Sequence, residues 1–264
     1  MNIFKKIYFD YLMRSRLKYY KEILIFAHSK GYKMMGILDF YNYISLNQSI
    51  KPGDKILINR HDVDTSPKTA LKMFNIEKSV YNKDGSSSFY FRKTTTNIGV
   101  IKEIDSFGYE TGFHYETIAN FEYVNKFKDK NKLINHFGEI SMLFLMELNE
   151  YRSLTGTNSY SVASHGDFIN VKLGLPNYFL LRDNALRKKA NIIVEAYDDA
   201  ICKFIQARFA DHILGSSFTK NVLDELNSGT QVVMILTHPR NWKVDCLENT
   251  RKNFRRLTRG IRYH

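Results

Sequence analysis

The sequence contains few residues that cross-link a chain or interrupt its regular structure. Among its 264 residues there are two cysteines, Cys202 and Cys246, and four prolines. Isolated cysteines without a C-x-x-C pair argue against a disulfide framework and against a thiolate zinc site. Scarce cysteine is typical of a reducing compartment, and we expect a cytoplasmic location.

Long apolar segments are also missing. No stretch approaches the roughly 18 consecutive apolar residues that a membrane-spanning helix requires. The N-terminal segment MNIFKKIYFDYLMRSRLKYY has neither an apolar run of signal-peptide length nor a small-residue cleavage site. The sequence therefore predicts neither a transmembrane anchor nor a secretion signal.

The composition is that of a folded chain with a sizeable core. Hydrophobic residues make up 44% of the sequence and aromatic residues 14%, which argues against disorder. The length suits one large domain, and no Pro/Gly/Ser-rich linker divides it. We predict that residues 1–50 form a helical extension packed on an α/β domain of residues 51–264.

The charge is strongly positive, at +12, and much of it lies near the C-terminus. One interpretation is a solvated basic helix. The other is a peripheral contact with an anionic membrane or with a lipid-linked substrate. No nucleic-acid-binding motif accompanies the charge, so we expect no nucleic-acid partner. The basic residues of this segment are Arg251, Lys252, Arg255, Arg256, Arg259 and Arg262.

Apolar strand patterns alternate with helical ones after residue 50. Such alternation predicts a mostly parallel sheet covered by helices. With about seven strands, we expect a distorted (β/α) barrel. The predicted strands are 55–59, 88–91, 109–113, 160–163, 178–181, 191–195 and 231–236, and the predicted helices begin near Pro67, Asn97, Asn131 and Phe218.

Acids and histidines follow five of these strands directly. The carboxyl ends of parallel strands share one face of such a fold, where active sites are found. We therefore expect the five segments to meet at one site. They are RHDVD at 60–64, HYE at 114–116, SHG at 164–166, Asp198 with Asp199, and HPR at 238–240.

These residue types suit metal-assisted hydrolysis. A zinc-like ion takes imidazole nitrogen and carboxylate oxygen and leaves a position open for water. Asp62 and Asp64 are two residues apart, so in an extended segment they share a face. His61 would then point the other way, and we expect it to pack against the N-terminal helix.

The ordered segments resemble the polysaccharide deacetylases, the NodB-homology or carbohydrate esterase family 4 group. The segment RHDVD resembles the family's Asp pair, YETGFHYETI resembles the G-x-E-I-G lead with its first histidine, and ILTHPRNW resembles the final L-x-H motif. The likeness spans roughly Ile56 to Trp242. It is strongest to divergent members associated with bacterial surface-polysaccharide synthesis, such as lipopolysaccharide or capsule.

The resemblance implies a role for each matching position. Asp62 would be the catalytic base and His238 the general acid, while Asp64 and His114 would bind a divalent metal, most simply zinc. The family's second histidine falls at Ile118, so the third ligand is missing from its usual place. Either His165 or Glu116 would supply it.

The resemblance also implies the reaction, which is removal of an acetyl group from an N-acetylated sugar, free or lipid-linked. A catalytically inactive carbohydrate-binding relative is the alternative. Four further residues are candidates for substrate contact: Arg60, Arg92, Tyr115 and Trp242. The arginines have ion pairing as their other interpretation. His28, His136 and His212 lie in helical patterns and are predicted to be structural or exposed.

Overall fold

A computed structural model describes residue 4, residues 7–211 and residues 216–263. Eight parallel strands form one curled sheet in the order β6-β5-β4-β3-β2-β8-β7, and β1 pairs with β2 beside this path. Among the described residues no pairing joins β6 to β7, so the barrel is open there. The strands are β1 (Lys33–Met35), β2 (Ile56–Val63), β3 (Ser88–Phe91), β4 (Glu110–Tyr115), β5 (Ser161–Ser164), β6 (Val194–Glu195), β7 (Ala207–Ala210) and β8 (Val232–Thr237).

Helices cover the sheet and connect its strands. Four short turns are helical without being α-helices: a π-helix at Tyr8–Leu12 and 3₁₀ helices at Lys93–Thr95, Asn177–Arg182 and Pro239–Asn241. The α-helices are Leu17–Ser29, Ile37–Asn47, Pro67–Tyr81, Ile98–Ser106, Thr117–Asn125, Lys130–Asn135, Phe137–Thr155, Phe168–Leu173, Asn184–Lys189, Asp199–Cys202, Ser216–Ser228 and Cys246–Tyr263. No helix within the described ranges is long and apolar enough to cross a bilayer.

The centre of the sheet is β2, which is buried along its whole length. It pairs with β8 on one edge, and on the other with β1 at its start and with β3 at its end. Strands buried on both faces are typical of parallel sheets. This position carries the end of β2 to the middle of the site described below.

The curl of the sheet requires a close approach at Gly112 of β4. A Cβ atom there would lie 2.6 Å from the carbonyl oxygen of Ser161 and 2.7 Å from the ring of Tyr90. Any side chain would therefore push β5 or Tyr90 away. The glycine lets the Tyr90 ring lie inside the barrel, where it contacts a residue of the site.

The predicted distorted (β/α) barrel is confirmed, with differences in individual elements. The predicted strand 178–181 is wrong: this segment is part of the 3₁₀ helix Asn177–Arg182. Leu180 and Leu181 are adjacent and both buried, a pattern that a half-buried strand does not give. The two strands that sequence reasoning missed, β1 and β7, have three and four residues, too short to show an alternating pattern.

The first fifty residues contribute a strand to the sheet in addition to helices. Lys33–Met35 is a strand of the sheet, and the helix Leu17–Ser29 packs against the barrel through Tyr20, Ile23 and Leu24. The segment predicted as a helical extension is thus continuous with the sheet. The domain boundary at residue 50 stays a prediction.

Candidate metal and hydrolytic site

The alternation of β2 divides the RHDVD segment between two layers. Arg60, Asp62 and Asp64 point to one side, as the two-residue spacing predicts. His61 points to the other, where its Nε2 lies 2.8 Å from Oε1 of Glu77 and 3.3 Å from the Tyr20 hydroxyl. Since Tyr20 belongs to the helix Leu17–Ser29, the predicted packing of His61 is confirmed.

Asp62 is buried and held by an arginine two residues away. Nε and Nη2 of Arg60 donate to its two carboxylate oxygens, each at 2.8 Å. Burial alone would raise the pKa of Asp62, but Arg60 first and His114 next outweigh it, so the pKa lies below its usual range. Asp62 is therefore an anion at neutral pH with a fixed orientation.

Arg60 is fully buried, so its predicted contact with substrate is wrong. Its guanidinium lies 4.5 Å from the ring centre of Tyr197 and 5.6 Å from that of Tyr90. Both distances are those of cation–π contacts. The two rings and the carboxylate together fix the arginine, which positions Asp62.

Three ligand-type side chains converge just beyond Asp62. Oδ1 of Asp64 lies 3.4 Å from Nε2 of His114 and 3.4 Å from Nε2 of His165, and the three ligand atoms are all within 4.8 Å of one another. Two N/O ligands of a tetrahedral zinc-like ion, each at about 2.0–2.2 Å, are separated by roughly 3.4 Å. The predicted ligands Asp64, His114 and His165 therefore lie together at a spacing that suits one cation.

Two further observations show that this cluster fits a divalent ion. Oδ1 of Asp64 is buried and has no hydrogen-bond partner among the described residues. Nδ1 of His114 is 2.9 Å from the carbonyl oxygen of Ala163. Only an N–H can bond a carbonyl, so Nδ1 carries a proton and Nε2 is the nitrogen of His114 that can bind a cation.

Glu116 lies behind His165. Its carboxylate pairs with Arg92 at 2.6 Å, and Oε2 lies 3.2 Å from Nδ1 of His165. The contact is at ion-pair distance, and Nδ1 of His165 has no hydrogen-bond partner among the described residues. Asp64, His114 and His165 form one group of converging ligand atoms, and Glu116 is not a member of it. The geometry therefore favours His165 over Glu116 as the third ligand, while Ile118 is buried in the core at the start of the helix Thr117–Asn125.

His238 follows β8 and forms a half-buried pair with Asp211. Its Nδ1 is 2.7 Å from Oδ1 of Asp211, and its backbone N–H donates to Oδ2 at 2.8 Å. Burial lowers the pKa of His238, but Asp211 more than compensates, and the pKa rises to about 9. Asp211 was not predicted from the sequence because it follows the four-residue strand β7.

Trp242 supports this pair. Its Nε1 donates to Oδ2 of Asp211 at 2.7 Å, and its ring is buried against Tyr20 and Phe218. The prediction that Trp242 contacts substrate is wrong, because the side chain is 1% exposed and its ring has no accessible face. Tyr115 is corrected for the same reason: it is fully buried against Phe144.

Replacing Asp211 by asparagine should lower the pKa of His238 from about 9 toward the ordinary value near 6.5. The raised pKa means that Asp211 stabilises the folded protein below about pH 6.5, and that this contribution is lost as the pH rises through about 9. The measurement is an NMR titration of the imidazole. Trp242→Phe is the matched control, since it removes a hydrogen bond but leaves the carboxylate charge. Equal pKa values in the wild type and Asp211→Asn would contradict the assignment.

A cavity of about 650 Å³ opens onto the cluster. Asp64, His114, His165 and Arg92 line it. Contact between Arg92 and a substrate stays a prediction. Asp62 does not line the cavity, but its Oδ2 lies 3.7 Å from Nε2 of His114. The far wall is the helix Cys246–Tyr263, hereafter the C-terminal helix.

The C-terminal helix reaches the cluster of Asp64, His114 and His165 through Lys252. Its Nζ lies 3.7 Å from Oδ2 of Asp64, and burial lowers the pKa of Lys252 to about 8 despite that carboxylate. The backbone N–H of Ser66 donates to Glu248 of the same helix. Neither contact could be predicted from sequence, because the partners are about 180 residues apart.

The remaining candidates lie elsewhere. Asp198 pairs with Arg187 at 2.5 Å and does not join the cluster. His28 contacts the Tyr81 ring edge-to-face and His136 stacks on Phe127, in agreement with structural roles. His212 lies outside the described residues.

Comparisons with known proteins add little. No protein-family model matches the chain, and no curated protein matches it. Among solved structures it is similar to a mutant of BA3943, a CE4 family pseudoenzyme with restored enzymatic activity, at 11% identity and a TM-score of 0.37, over 79% of this chain and 65% of that one. It is also similar to the peptidoglycan deacetylase PdaC from Bacillus subtilis, at 10% identity and a TM-score of 0.31, over 80% and 98%. Because these TM-scores are low, the conclusions on fold and function are drawn from the structure of this chain alone.

Proposed function

We propose that the protein is a metal-dependent hydrolase that removes an acetyl group from an N-acetylated sugar. The proposal is supported by one observation above all: three ligand atoms converge within 4.8 Å at the floor of a cavity, beside a carboxylate fixed by Arg60. A pure binding module has no use for a second buried acid next to a metal cluster.

Asp64, His114 and His165 would hold the cation. When bound, a divalent ion of the zinc type polarises the acetyl carbonyl and lowers the pKa of a water molecule. Asp62 takes the proton from the attacking water, because its low pKa keeps it ionised and Arg60 keeps it aimed.

His238 acts at the other end of the reaction. With a pKa of about 9 it is protonated at neutral pH, so it donates its proton to the sugar nitrogen as the carbon–nitrogen bond breaks. Acetate and the free amino sugar are the products. Asp211 holds the imidazole through Nδ1, which leaves Nε2 as the donor.

The identity of the cation, the location of the protein and its biological role are proposed from the sequence motifs. We propose zinc as the cation, a cytoplasmic location, and a role in the synthesis of a surface polysaccharide such as lipopolysaccharide or capsule. The two cysteines are free, as suits a reducing compartment.

The alternative is a carbohydrate-binding relative that has lost activity. Ile118 supports it, because the residue occupies the position of the family's second histidine and is buried. His165 weakens it, because its Nε2 lies 3.4 Å from Asp64 and completes a set of three ligands.

Asp62→Asn should lower the rate of deacetylation by about 10²–10⁴-fold, the usual contribution of a general base. The change removes a proton acceptor but leaves the three ligands in place, so the metal content should be retained. The assay follows release of acetate and of free amine from N-acetylated sugars. Glu139→Gln, at an exposed position of the helix Phe137–Thr155 that does not line the cavity, is the control and should keep full activity. An Asp62→Asn protein as active as the wild type would contradict the assignment of Asp62 as the base, whereas a metal-loaded wild type that releases no acetate would leave only the alternative.

A further inference from the structure

The C-terminal helix turns one basic face to the cavity. Five of its cationic side chains line the space, at the spacing of successive helical turns: Arg251, Lys252, Arg255, Arg256 and Arg259. Arg92 lines the same cavity, and Lys252 of this wall lies 3.7 Å from Asp64 of the ligand cluster. A neutral sugar needs no such concentration of positive charge.

Not all of these cations are neutralised within the protein. Lys252 faces Asp64 at 3.7 Å, and Arg259 contacts Asp167 at 3.8 Å and Asn120 at 3.1 Å. In the described part of the chain, Arg251, Arg255 and Arg256 have no carboxylate partner.

Arg259 adds an independent sign of a missing anion. Its Nε is buried and has no hydrogen-bond acceptor among the described residues. A buried donor on a charged group is costly to leave unsatisfied. A ligand oxygen placed between the helix and the cavity floor would supply what the protein does not.

We propose that the cavity binds a sugar carrying a phosphate or diphosphate ester, with the phosphate held by Arg255, Arg256 and their neighbours on the C-terminal helix. The inference rests on the proposed function, since it names the substrate class of that site. The planar guanidinium matches phosphate oxygens in pairs, which makes arginine the usual residue for this group. A volume of about 650 Å³ accommodates a sugar and its phosphate together.

The phosphate could belong to a soluble nucleotide diphosphate sugar or to a lipid diphosphate headgroup. The outer face of the C-terminal helix makes the lipid source worth testing. It carries an apolar stripe of four residues that are 61–74% exposed, and arginines border it. Basic amphipathic helices of this kind lie on anionic membrane surfaces. The stripe consists of Leu247, Phe254, Leu257 and Ile261.

The test is calorimetric titration of the metal-free full-length protein with inorganic pyrophosphate. Because no turnover and no metal are involved, a failure here is distinct from a failure of the deacetylase proposal. The double variant Arg255→Gln, Arg256→Gln should weaken binding by about tenfold or more, since one charged hydrogen bond alone accounts for a factor of this size. Arg262→Gln, on an exposed position of the same helix outside the cavity, should bind like the wild type. Equal affinity in all three proteins would overturn the proposal.

A second arm separates the two sources. Binding of a uridine diphosphate N-acetyl sugar in solution is compared with binding of a polyprenyl diphosphate N-acetyl sugar in vesicles, and with the free N-acetyl sugar. Preference for either phosphorylated form, lost in the double variant, supports the proposal and identifies the source. Equal binding of all three sugars would show that the basic wall does not select phosphate.

Discussion

Replacing Asp64 by alanine should release the divalent cation and lower deacetylation by about a thousandfold or more. The residue supplies the only oxygen ligand of the described cluster, and its Oδ1 is within 3.4 Å of both histidines. A bound metal contributes several kcal/mol of transition-state stabilisation, which corresponds to a factor of this order. His114→Ala should have the same effect. Metal content of protein purified without chelator is measured alongside the rate.

The control for this experiment is Glu139→Gln, which alters an exposed carboxylate outside both the cavity and the cluster. It should retain the metal and the activity. Circular dichroism shows whether each variant is folded, so that loss of metal is not confused with unfolding. If Asp64→Ala and His114→Ala both keep the wild-type metal content, the proposed centre does not exist.

Replacing Arg60 by leucine should destabilise the protein by about 3–5 kcal/mol, the usual result of removing one partner of a buried ion pair. Arg60 is fully buried and Asp62 is 3% exposed, so the carboxylate left behind has little access to water. The free energy of unfolding is obtained from urea denaturation. Activity should fall as well, because Asp62 loses its orientation.

The double variant Arg60→Leu, Asp62→Leu tests whether the unpaired carboxylate of Asp62 causes the loss of stability in Arg60→Leu. Both charges are then absent, and a buried pair replaced by apolar residues is often no less stable than the original. We expect most of the lost stability to return, while activity stays absent. A double variant less stable than Arg60→Leu would mean that packing around Tyr90 and Tyr197, rather than the unpaired charge, dominates the energetics.

The sequence predicts the site best where periodicity alone decides the direction of a side chain. In β2 the spacing of Asp62 and Asp64 places both on one face and His61 on the other, and the structure agrees. The same rule, applied to β4, would have placed Tyr115 opposite His114. The predicted contact of Tyr115 with substrate is therefore wrong, because its side chain is fully buried.

Residues brought together by distant segments could not be predicted in this way. Asp211 contacts both His238 and Trp242 across 27 and 31 positions, and Lys252 reaches Asp64 from the last helix. These contacts depend on where loops and the C-terminal helix pack. No local pattern of hydrophobicity encodes that information.

The division of β2 between two layers restricts how this strand can change in length. Inserting one residue ahead of Arg60 would turn the guanidinium and both aspartates outward toward the helices and bring His61 and Val63 into the barrel. Two inserted residues would restore each side chain to its own side. Without a bulge, β2 therefore tolerates insertions or deletions only in multiples of two residues. Any other change would move the residues of the candidate site and the residues packed against the helices to the wrong faces at the same time.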